Sequence, residues 1–120
     1  MSNHRNESVI TLAGRSLILR PSFEELERLE EYLPCGILEY LGQLAETNGK
    51  GFKLGHLVRV LHCGARGGMS DSAPSYKEMG DLILSEGLPE SMALAVDFMK
   101  SAVLRADSEE NVTEGQQAGK

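Results

Sequence analysis

Two short apolar stretches, Val9–Leu12 and Leu17–Arg20, flank Gly14, and Pro21-Ser22 follows the second at once. Such stretches read as strands, and a glycine between them supplies the positive φ that a tight hairpin turn needs. The turn falls at Ala13-Gly14 or Gly14-Arg15. A two-residue loop collects Ile10, Leu12, Leu17 and Leu19 on one face. A three-residue loop shifts the pairing and sets Ile18 beside Ile10 and Leu12. The shorter loop is expected, because it gathers four large apolar side chains, each stabilising the fold by roughly 1.5–3 kcal/mol when buried. An isolated hairpin is marginal in water, so the rest of the chain must cover that face.

The remainder is helical in pattern. Ser22 and Glu25 match a capping box, and Phe23, Leu26, Leu29 and Leu33 repeat at helical spacing until Pro34. Gly36 to Glu46 carries Ile37, Leu41, Leu44 and Ala45 on a second stripe. A loop by composition spans Thr47-Asn48-Gly49-Lys50-Gly51. Leu54, Leu57, Val58, Leu61 and Ala65 mark a third helix, expected to weaken at Gly64 and end at Gly67-Gly68. Ser75 and Glu78 repeat the capping pattern ahead of Tyr76, Met79, Leu82 and Ile83, and Gly87 closes that fourth helix. Pro89 suits the first turn of a fifth, whose face is Leu88, Met92, Ala95, Val96, Met99, Ala102 and Val103. Beyond Ala106 the composition is polar and acidic, as in a disordered tail. The expected fold class is α+β: an N-terminal β-hairpin packed on a bundle of about five short α-helices. Residues 1–7 form a flexible start, 8–105 a single domain and 106–120 the tail.

Charge and composition narrow the chemistry. The 120 residues carry a net charge of −6, and the 12 basic residues are scattered along the chain. Phosphate-backbone binding needs clustered Lys and Arg, so no nucleic-acid partner is expected. No apolar run approaches a membrane span, and the opening MSNHRNES has no signal-peptide core. Two cysteines, Cys35 and Cys63, are too few for a disulfide framework. These features point to a soluble protein of a reducing compartment. His56, His62, Cys35 and Cys63 are the soft-ligand residues of the body. His56 and His62 fall on different helix faces, and His62 and Cys63 are neighbours that diverge, so neither a metal site nor a nucleophile–base pair is expected. The run Glu24, Glu25, Glu27, Glu30 and Glu31 reads as a solvated face. No glycine-rich stretch matches a phosphate loop. No catalytic residue, cofactor or metal is assigned, and the chain reads as non-enzymatic.

One feature exceeds what a core demands. The fifth helix carries Leu94, Phe98 and Leu104 beside its main stripe. An apolar arc that wide belongs either to a central core helix or to a partner surface. The hairpin offers a second candidate surface, with Val9 and Ile18, because a two-stranded sheet has two open edges.

The order V-I-T-L-A-G-R-S-L-I-L-R-P-S-F-E-E-L-E-R-L-E-E, then L-G-H-L-V-R-V-L-H-C-G-A-R-G-G, then Y-K-E-M-G-D-L-I-L-S-E-G-L, resembles the small tail proteins of phages and gene transfer agents, described as tail tube proteins or tail assembly chaperones. The similarity covers roughly residues 8–104. The resemblance implies a prophage or phage tail protein in the bacterial cytoplasm, or associated with the virion. As a chaperone it would bind the tape-measure protein; as a tube component it would self-assemble into a homo-oligomer. A small prophage transcription regulator is a third, less favoured reading, opposed by the acidic charge. A small, mostly helical chain with one hairpin suits the chaperone better than the β-rich wall of a tube.

Overall fold

A computed structural model describes residues 7–47 and 52–116, with side chains described as far as Val103. The elements are β1 (Ser8–Leu12), β2 (Arg15–Leu19), α1 (Phe23–Glu30), α2 (Ile37–Thr47), α3 (Leu54–Met69), a 3-10 turn (Ser70–Ser72), α4 (Tyr76–Glu86) and α5 (Leu88–Gln116). An N-terminal antiparallel hairpin joined to five helices makes a small α+β domain. Residues 1–6 of the flexible start expected over 1–7, the loop centre over 48–51, the side chain of Leu104 and the polar side chains of 106–120 lie outside the described residues.

The hairpin has the two-residue loop. Leu12 pairs with Arg15, Ile10 with Leu17 and Val9 with Ile18. Leu12, Leu17 and Leu19 are buried and Ile10 packs against them, so the four expected side chains share the inner face. Ala13 and Gly14 both take positive φ, 52° and 82°, the left-handed pair of a type I′ turn. Glycine adopts this freely, whereas alanine does so at a cost. The Ala13 N–H donates to Glu86 Oε1 at 2.7 Å, which ties the turn to the end of α4.

α3 is the central element. It packs on β2, α1, α4 and α5 and buries Leu57, Val58, Val60, Leu61, Cys63, Gly64 and Ala65, a wider arc than the five-residue stripe read from the sequence. Its glycines do not end it, because the helix runs through Gly64, Gly67 and Gly68 to Met69. They form a bare strip on which the hairpin lies. A Cβ on Gly67 would collide with the Arg20 carbonyl oxygen, and one on Gly68 with that of Ile18. A Cβ on Gly64 would meet Phe98 at 3.0 Å and Leu19 at 3.2 Å. The Arg20 N–H donates to the Gly64 carbonyl at 3.0 Å. Glycine here costs helix propensity and gains close backbone approach.

Other details depart from the periodicity. α1 stops at Glu30, and buried Leu33 follows it outside the helix. Phe23, expected on the stripe, is 79% exposed. It lies six residues from buried Leu29, about 120° around the helix, so it faces water. Ser22 Oγ accepts from the Glu25 N–H at 3.3 Å, but the Glu25 carboxylate turns to Arg28 and Arg66. At Ser75 and Glu78 both halves of the capping box form. Glu30 Oε2 accepts from the Ile37 N–H at 2.9 Å, so α1 caps α2. On α2 the buried set is Ile37, Tyr40 and Leu44, with Ala45 exposed. Tyr40 is buried because Phe52 and His56 stack edge-on against it. The core closes with Met79 and Ile83 of α4 and Ala95, Phe98 and Met99 of α5.

Candidate functional site

The surface residues chosen from the sequence separate on the structure. Phe98 is 3% exposed and packs over Gly64, so it belongs to the interior and not to a partner surface. The missing Cβ of Gly64 is what admits the ring. Leu94 is half-buried and packs against the same core. The broad apolar arc of α5 is therefore core packing at these two positions. Ile18 is half-buried, and its carbonyl faces Gly68 of α3. That edge of β2 is covered by the helix and is not open for pairing. Val9, on the outer face of β1, is 71% exposed.

An apolar groove lies instead between α2 and α5. Leu41, Leu44 and Phe52 form one wall, Met92 and Val96 the other, and the cavity measures 460 Å³. Asp97 and Lys100 stand in its lining, one charge of each sign. Met92, Val96, Leu41 and Phe52 are only half-buried. The five helices thus leave a seam that the described residues do not fill. Met92 and Val96 were read as core stripe; they mark the boundary of the core.

A second, polar cleft of 290 Å³ runs along the seam of α1 and α3. α1 and the residues after it contribute Glu25, Arg28, Leu29 and Tyr32, and α3 contributes Arg59, His62, Cys63 and Arg66. Both sets have i, i+3, i+4, i+7 spacing, which puts each on one helix face. The helices run antiparallel, since Glu25 meets Arg66 at 3.7 Å and Tyr32 meets Arg59 at the other end. Glu25 also meets Arg28 at 3.4 Å. The Arg59 guanidinium carbon stands 3.7 Å from the Tyr32 ring centre and 4.2 Å from that of Tyr76. Among the described residues Arg59 has no carboxylate partner, and these cation–π contacts hold it.

The titratable groups of the seam are biased by burial. His62 is pushed down, first by burial and next by Arg66, with Glu25 opposing. Burial drives the Cys63 thiol up to about 12, and Glu25 adds to the effect. Cys63 is therefore a protonated thiol at neutral pH, and no thiolate is available there for attack. Away from the seam, His56 is pushed down by burial and then by Lys53. Tyr40 is raised to about 12, mainly by burial. Its hydroxyl and His56 Nδ1 share a hydrogen bond of 2.9 Å. Among the described residues no three His, Cys, Asp or Glu side chains gather as a metal site. No helix among them is long and apolar enough to cross a membrane.

The sequence reading missed the seam because the 12 basic residues look scattered along the chain. The available signal was the matched spacing of Glu25/Arg28/Tyr32 and Arg59/His62/Arg66. No family model, curated protein or solved structure matches this chain.

Proposed function

We propose that this chain is a non-enzymatic phage or prophage tail assembly protein of the bacterial cytoplasm, a chaperone that holds an amphipathic helix of the tape-measure protein. The observation that carries the reading is the half-open apolar groove between α2 and α5. A groove of this kind takes the apolar face of a helix, with anchors one turn apart. The paired charges Asp97 and Lys100 in its lining would set the direction of the bound helix. The resemblance of the hairpin, third-helix and fourth-helix patterns to small phage tail proteins supplies the identity of the partner.

Ala93 lines the groove and is exposed, so Ala93→Glu leaves the core intact and places a charge where an apolar helix would lie. Co-expression with tape-measure segments and titration calorimetry test the reading. The expected result is a soluble complex weakened about tenfold or more by Ala93→Glu, equivalent to about 1.4 kcal/mol. Absence of any complex, or full-strength binding by Ala93→Glu, would remove the groove from consideration. The second reading, a self-assembling tail component, draws on exposed Val9 at the hairpin. Open-ended polymers in sedimentation velocity would favour it; a monomer or small closed oligomer favours the chaperone.

A further inference from the structure

We propose that the α1/α3 seam is a binding site for a phosphate group, as the free ion or as a phosphate monoester. This site is independent of the apolar groove. Three guanidiniums line the seam, from Arg28, Arg59 and Arg66, against one carboxylate, Glu25. Three positive charges less one negative leave two, and His62 beside them is pushed toward its neutral form. A dianion balances that excess, whereas a monocarboxylate leaves half of it.

The guanidiniums are held in place before any ligand arrives. Glu25, with its side chain only 13% exposed, engages both Arg28 and Arg66. Tyr32 and Tyr76 fix Arg59 through its face, and a ring contact on the face leaves the edge N–H donors available. Those donors match phosphate oxygens two at a time. The long side chains therefore lose little further freedom on binding. Access is open as well, since the Arg28 and Arg66 side chains are 51% and 39% exposed. Among the described residues Arg59 has no carboxylate partner, and beside its two aromatic rings it is a half-buried cation with unused donors.

The test uses the full chain in low-salt chloride buffer, titrated with inorganic phosphate and followed by 1H–15N NMR that includes the arginine side-chain resonances. Saturable one-to-one binding is expected, with the largest shifts at Arg59, His62 and Arg66. Arg59→Gln and Arg66→Gln should each weaken it about tenfold or more, while Arg15→Gln at the hairpin turn, which removes the same charge, should change it less than about twofold. If Arg59→Gln unfolds, the wild-type shift map alone decides. Shifts that do not saturate, that spread over all basic residues, or that acetate reproduces at equal affinity would overturn the site. O-phosphoserine distinguishes the two sources: tighter binding than inorganic phosphate assigns a substituted phosphate, and equal or weaker binding assigns the free ion.

Discussion

A methyl group on Gly67 asks two questions of one position. As a helix-interior residue, Gly67 costs α3 about 1 kcal/mol against alanine. As part of the glycine strip it admits the Arg20 carbonyl, which a Cβ would strike. That neighbour is backbone, anchored on the same stretch by the Arg20 N–H bond to Gly64, so it has no rotamer by which to escape. The clash outweighs the propensity, and Gly67→Ala should destabilise the fold by roughly 2–3 kcal/mol. Gly42, on the exposed side of α2, has open space where its Cβ would stand. Gly42→Ala should stabilise by about 0.5–1 kcal/mol. Urea midpoints for the two variants should move in opposite directions; movement in the same direction would mean that the hairpin does not rest on α3. Gly14 was legible from the sequence because a turn between two apolar runs needs positive φ for reasons local to the chain. Gly64 was read as weakening the last turn and Gly67-Gly68 as the helix stop, because the segment that needs their missing side chains lies more than forty residues away, at Ile18 to Arg20.

Among the elements, α1 and α3 are opposites. α1 has eight residues and buries only Leu29, whereas α3 buries seven of its sixteen. A helix shorter than about 12 residues is marginal without packing, and the inward face of α1 is largely the polar seam, which contributes less than an apolar one. Hydrogen exchange should therefore find α1 opening locally while α3 exchanges only with global unfolding. Equal protection of the two would show that the arginine and tyrosine contacts hold α1 as firmly as a core. This contrast also explains what periodicity conveyed. It located every helix, because apolar spacing and capping residues are local. It set Phe23 inside and left Tyr40, Val60 and Cys63 out, because which side of a stripe is covered depends on the neighbours. The wide apolar arc of α5 was left open between a central helix and a partner surface, and Phe98 and Leu94 pack in the core; the wider arc of α3 was missed, because its glycines and polar neighbours hide it.

At the scale of the whole molecule, the acidic balance of −6 conceals a basic cleft, and two of the three histidines sit on the central helix. His56 and His62 both have pKa values below the ordinary 6.5, burial being the first cause for each. Lys53 adds to it at His56, and Arg66 and Arg59 at His62, where Glu25 works the other way. The sign follows from proton linkage. Below about pH 6.5 the unfolded chain binds protons at these imidazoles more readily than the folded one, so unfolding takes up protons and stability falls as pH falls. Above that pH both states are neutral at these positions, and the stability they contribute is fully present. Urea unfolding free energy should thus be level between about pH 7 and 8 and decline from about pH 6.5 toward 5. The His56→Gln/His62→Gln double variant should flatten that decline. Histidine resonances followed by NMR should titrate below the ordinary value in the folded chain. If the decline survives in the double variant, its source lies in groups other than these imidazoles. If instead the wild type shows none and both rings titrate normally, α3 does not shield these half-buried rings from water as described.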